Sequence, residues 1–287
     1  MTLTRGTHPW ETHLRLISCI EYSITPLGHA ADKVAAKPAS AIAPCIAVAS
    51  PMTRLLNEAE LDEFFASQET VSIIGFGSLI SENSSRGTFP ELSNFREVRV
   101  DGHRRLYQHP TFIFFERGIA SLEERTYASL STEPAADCSF VAVAFEIAGQ
   151  TKEDWLRREE EFLFSVVPFT NLDDPDGEKG LGLMCTAASD DAVYINRWGQ
   201  DKYESSMAKF GLASIWKPRH DNILPCSVYL RHCVLAAQGR SASCRDSFLD
   251  ETYLADRKTT IREYLSRNPD LMETALPPDS LLGRYSG

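Results

Sequence analysis

The run FVAVAFEI, Phe140 to Ile147, carries a single charge, Glu146, in eight residues. A strand this apolar has no face to give to water, so it belongs in the middle of a sheet that is covered on both sides. Further β-branched and aromatic stretches surround it: VSIIGFGSLI (71–80), the alternating REVRV (96–100), RRLYQ (104–108) after a turn at Gly102, TFIFFERG (111–118), ASLS (128–131), FLFSVVPF (162–169) and LGLMCTAA (181–188). Helical periodicity instead marks 55–68, 151–164, 201–210, 228–237 and 259–266, with the Gly/Ser/Arg stretch QGRSASCRDS (238–247) expected as a linker between the last two. Strands crowd into 71–188 and helices follow, which is an α+β pattern and not a βαβ wheel.

The chain has 287 residues, 43% of them apolar, enough for one well-packed domain over 71–287 with a lead-in helix in 51–70. Residues 1–50 hold few acids and drift into Ala/Pro-rich text. That stretch is expected to be a leader or a disordered tail, placing the protein in the cytoplasm, or in an organelle if it is a transit segment. A net charge of -11 (29 Lys+Arg against 40 Asp+Glu) disfavours nucleic acid or an anionic membrane surface as partner, and no apolar run has the length of a membrane span.

Seven scattered cysteines without a C-x-x-C pair suggest reduced thiols and no zinc site. Around Gly177, the stretch NLDDPDGEKG lacks carboxylates at the ends of a calcium-loop frame, since Leu172 and Leu183 fall there, and it reads as a polar turn. His103, His109, His220 and His232 follow no ligand spacing, and Ser78 lacks the G-x-S-x-G frame because Ile80 stands at its last position.

Two stretches carry candidate chemistry. In the first, Gly75, Phe76, Gly77, Ser78 and Leu79 interrupt an apolar strand, where glycines allow close approach of backbone to ligand and positive φ, so that N–H groups can converge on a carbonyl or carboxylate oxygen. The second, Arg157-Arg158-Glu159-Glu160-Glu161-Phe162, ends a predicted helix before a strand. Adjacent helical residues point about 100° apart, so one or two of the three glutamates can face the core. A carboxylate held against apolar surface has its pKa raised, as acid/base work near neutrality requires; a solvated helix face is the other reading.

In order and separation, the strand ending in Phe76-Gly77-Ser78-Leu79, the stretch Val100-Asp101-Gly102-His103-Arg104-Arg105-Leu106-Tyr107, the apolar strand and the helix end Arg158-Glu159-Glu160-Glu161-Phe162 resemble the γ-glutamylcyclotransferase-like family, which includes the ChaC and AIG2-like proteins. The resemblance spans about residues 71–170. It implies a small closed mixed β-barrel flanked by helices, here with a helical C-terminal extension. It also implies a small-molecule γ-glutamyl substrate, cyclised to 5-oxoproline without metal or cofactor, with Gly75–Leu79 as the cradle and Glu159 as acid/base, or Glu160 if the register differs by one. Two departures stand out: Phe76 lacks the hydroxyl of the family's tyrosine, and Glu160 and Glu161 replace small residues. A non-catalytic barrel that binds a small molecule or a protein is the alternative, decided by whether a carboxylate projects into the pocket beside the loop.

Overall fold

A computed structural model describes residues 53–177, 179–220 and 222–287; the expected leader lies outside them. Its strands are β1 (Arg54–Leu56), β2 (Thr70–Gly75), β3 (Ser93–Pro110), β4 (Thr126–Ala148), β5 (Leu163–Asn171), β6 (Gly180–Thr186), β7 (Leu224–Pro225) and β8 (Thr252–Leu254). The FVAVAFEI run occupies the second half of β4, and every residue from Phe140 to Phe145 is buried. On one side of β4 runs β2, antiparallel, placing Val71, Ile73 and Ile74 in the core; on the other runs β3, also antiparallel.

β2 then pairs in parallel with β6, β6 antiparallel with β5, and β5 returns to β3 at Val98↔Asn171 and Arg99↔Thr170. The circuit β5-β6-β2-β4-β3 is a closed mixed barrel within an α+β fold, with β1, β7 and β8 added at its margins. Closure removes the open edges that an apolar strand such as β4 would otherwise expose to pairing with other chains.

Three local expectations are corrected. Gly102 does not turn the chain: with φ +72° it sits at a register shift between the pairs Asp101↔Ser139 and His103↔Pro134, where the extra residues lie on the partner strand β4 and β3 continues. Within 111–118 there is no strand but a short helix, Phe112–Glu116, because alternate rings find different walls: Phe112 meets Tyr194 edge-on at 5.4 Å and Phe114 lies 4.9 Å from the Tyr229 ring. The stretch 238–247 is not a linker. It finishes one helix, Ser227–Arg240, and starts the next, Ala242–Asp250, whose N-cap Ser241 accepts from the Cys244 amide.

These two helices cover the barrel. Arg105, fully buried in β3, donates to the Val141 carbonyl at 3.0 Å and the Ser247 carbonyl at 2.8 Å, and lies 4.8 and 5.0 Å over the rings of Phe140 and Phe248. One guanidinium thus fastens the helix 242–250 to the central strand. Among the described residues no helix is long and apolar enough to cross a membrane, and Cys138, Cys185, Cys226, Cys233 and Cys244 are free thiols.

Candidate active site

β2 ends at Gly75, and the chain closes into a single 3₁₀ turn, Ser78–Ile80, with the Ile80 amide donating to the Gly77 carbonyl at 3.0 Å. The glycines serve close approach only. Neither has positive φ, contrary to the sequence expectation, but a Cβ on Gly75 would lie 2.6 Å from the Leu79 Cβ, and one on Gly77 would lie 2.5 Å from the Tyr229 hydroxyl. Phe76 is buried, edge-on to Phe140 at 6.4 Å. The Ser78 amide donates to the Tyr229 hydroxyl at 3.3 Å, so a phenol from the helix 227–240 reaches the loop that begins with Phe76.

The helix carrying the acidic run is shorter than its periodicity suggests: it spans Lys152–Arg158, anchored by fully buried Trp155, and Glu159 is its C-cap. The three glutamates therefore leave the helix and go to three places. Glu159 turns inward, its side chain 14% exposed, and lines one small chamber of about 50 Å³ with Phe76, Gly77, Ser78 and Leu79. Burial raises its pKa, against the pull of Arg158, a hydrogen bond with Cys185 and the charge of Arg284. Glu160 points away to Lys202, 3.0 Å from its ammonium, and its backbone carbonyl accepts from the Trp198 indole at 3.1 Å. Glu161 is buried, accepts from the Thr111 hydroxyl at 2.6 Å, and is pushed by burial up to about 7.

Arg158 joins the two stretches singled out in the sequence. Its guanidinium donates to Glu159 Oε1 and Ser78 Oγ, each at 3.2 Å, and to Thr88 Oγ1 at 2.6 Å. A second chamber of about 70 Å³ shares Ser78, Glu159 and Tyr229 with the first and adds Glu161, Arg117 and Arg284. The Phe76–Leu79 loop, the Glu159 carboxylate and the Arg158 guanidinium thus meet in one partly desolvated region, where charge interactions are stronger than in water. A larger cavity, about 700 Å³ between Gln108, Trp216 and Arg257, is lined by none of Gly75–Leu79, Glu159 or Glu160. Among the described residues no group of three or more His, Cys, Asp or Glu side chains is placed to hold a metal ion.

Glu161, Tyr229, Arg117 and Arg284 were not singled out by sequence reasoning. For Glu161 a signal existed, its place next to Phe162 and the apolar text; the others come from elements remote in sequence and reach the site only through tertiary packing.

The chain is similar to a solved γ-glutamyl cyclotransferase, with 8% identity over 62% of this chain and 85% of that one and a TM-score of 0.39. It is also similar to a γ-glutamyl cyclotransferase specific to glutathione from yeast, with 11% identity over 73% and 98% and a TM-score of 0.42. An uncharacterized protein from Homo sapiens matches at 9% identity over 54% and 94%, with a TM-score of 0.35. No family model matches the chain, and no curated protein matches it.

Proposed function

We propose that the chain is a γ-glutamylcyclotransferase. The observation that carries this reading is the placement of Glu159 in the chamber lined by Phe76, Gly77, Ser78 and Leu79, with its pKa raised by burial. In the reaction, the free α-amine of a γ-glutamyl group attacks its own γ-carbonyl. The new N–C bond closes 5-oxoproline, and the C–N bond to the leaving amine breaks. Glu159 accepts the proton from the attacking nitrogen and returns it to the departing one, which the raised basicity of a desolvated carboxylate favours. Stabilisation of the oxygen on which charge develops falls to the loop side of the chamber, where the Arg158 guanidinium sits beside the Ser78 hydroxyl. Ring closure is intramolecular, so well-oriented reacting groups gain about 7 kcal/mol or more before any side chain acts.

The test is release of 5-oxoproline from γ-glutamyl dipeptides and glutathione by the purified protein and by Glu159→Gln. Turnover in the wild type, reduced about 10²-fold or more in the variant, supports the reading; turnover that survives in Glu159→Gln and is lost in Glu161→Gln moves the role two residues along. One observation favours a binding protein instead: the Tyr229 hydroxyl already occupies the Ser78 amide. Tight binding of a γ-glutamyl compound with no 5-oxoproline released would establish that alternative.

A further inference from the structure

Glu159 lines both small chambers: the first with Phe76, Gly77, Ser78 and Leu79, the second with Ser78 and the guanidinium groups of Arg158, Arg117 and Arg284. Arg158 is engaged with Glu159 and with the hydroxyls of Ser78 and Thr88. The other two have no such counter-charge: among the described residues, neither Arg117 nor Arg284 lies within 4.0 Å of a carboxylate oxygen. Glu161, the second acid of this chamber, has its pKa pushed by burial up to about 7.

The arginines are held in place. Arg117 donates to the hydroxyl of Tyr285 and lies 5.6 Å over its ring. Tyr285 is buried edge-on against His232 at 5.6 Å, while Gly287 donates its amide to His232 Nδ1 and accepts from the Ser81 hydroxyl, each at 3.0 Å. The segment that carries Arg284 is thereby tied to the residue just beyond the cradle turn. Arg284 itself is exposed at the rim, and its pKa is lowered by lost hydration and then by the like charges of Arg117 and Arg158. Two neighbouring cations with no carboxylate oxygen of the described residues within 4.0 Å, although Glu161 lines the second chamber with them and Glu116 and Glu160 line an adjoining one, leave donors for a bound anion, and planar guanidinium forks suit a carboxylate.

We propose that Arg117 and Arg284 bind the carboxylate of the leaving group, so that the substrates are γ-glutamyl amino acids or peptides with a free C-terminal carboxylate and not γ-glutamyl amines. This rests on the cyclotransferase reading of Glu159, from which the assignment takes its direction: cradle to one side of the scissile bond, arginines to the other.

γ-Glutamyl-alanine and its C-terminal amide differ in that charge alone. The wild type is expected to prefer the acid by about tenfold or more in kcat/KM, expressed mainly in KM. Arg284→Gln and Arg117→Gln are each expected to compress the preference to about threefold or less, Arg284→Lys to retain part of it, and Arg157→Gln, whose guanidinium already faces Asp154 at 3.7 Å, to keep it. Equal kcat/KM for acid and amide in the wild type, or glutamine variants that slow both substrates by one factor, overturns the assignment. If no γ-glutamyl compound is turned over, the catalytic reading falls, and calorimetry with glutarate decides the subsite separately. Glutarate bound by the wild type and more weakly by Arg284→Gln upholds it; no binding, or tighter binding of inorganic phosphate, overturns it.

Discussion

The barrel wall and its mouth are built from the same strands but obey different rules. Along β2 and β4 the wall is apolar and self-sufficient: Val71, Ile73, Val143 and Phe145 are inaccessible to solvent, and the backbones satisfy each other across the antiparallel ladder. A few residues further on, where β2 ends and the helix 152–158 stops, the mouth buries Glu159 and Glu161 beside Arg158. Burying ionisable groups opposes folding unless they are paired. Stability is therefore generated in the wall, and part of it is lost at the mouth in holding groups whose protonation and charge can act on a ligand.

That contrast can be broken at several points. The largest expected effect on stability is in the wall: Phe145 stacks on Phe95 at 5.5 Å and lies 6.3 Å from Phe89, so Phe145→Ala should lower unfolding free energy by about 3–5 kcal/mol, with the same loss at pH 5 and pH 8. Urea unfolding measures it, and a loss under about 1 kcal/mol would mean that the wall is not the main source of stability.

At the mouth the sign reverses. Glu161 has its pKa raised from an ordinary 4.5 to about 7, so the folded protein holds the proton more tightly than the unfolded chain does. Stability from this group is present below about pH 4.5 and falls as pH rises towards 7. Glu161→Gln removes that titration and should make the protein more stable than wild type above pH 7, by up to roughly 3 kcal/mol. Parallel stability–pH curves for variant and wild type would remove Glu161 from the account.

A smaller effect belongs to the seam between wall and mouth. Gly77→Ala drives a methyl to 2.5 Å from the Tyr229 hydroxyl, whereas the ring carbon bearing it is 3.7 Å away. The substitution should cost about 1–3 kcal/mol, and Tyr229→Phe, itself costing about 1 kcal/mol for the lost hydrogen bond, should relieve part of that cost in the double variant. Strict additivity would show that the hydroxyl does not limit the loop.

The wall was far more legible in sequence than the mouth. FVAVAFEI announces its burial because burial on both faces is written in residue type alone, and the closed mixed barrel implied by the family resemblance is the one that β5, β6, β2, β4 and β3 form. Short aromatic text was not legible: FIFF at 112–115 suits a strand or a helix equally, and packing against Tyr194, Phe210 and Tyr229 decides it. A serine-rich stretch at 238–247 looked like a linker because a capping serine and a loop serine are the same letter; the buried Cys244 and Phe248 make it a helix. At the mouth, Glu159 and the Gly75–Leu79 loop could be named from motif order. The separation of three adjacent glutamates could not, because it depends on the helix stopping at Arg158 and on the Trp198 and Trp216 indoles that hold the carbonyls of Glu160 and Glu161. Tyr229, Arg117 and Arg284 reach the site from remote segments that only the fold brings together.

The central claim is that Glu159 moves the proton in a γ-glutamyl cyclisation while Glu161 shapes the surroundings. Release of 5-oxoproline from γ-glutamyl-alanine at pH 7.5, compared among wild type, Glu159→Gln and Glu161→Gln, tests it most directly. The account predicts a fall of about 10²–10⁴-fold in kcat for Glu159→Gln and at most about tenfold for Glu161→Gln. Undiminished turnover in Glu159→Gln would contradict it.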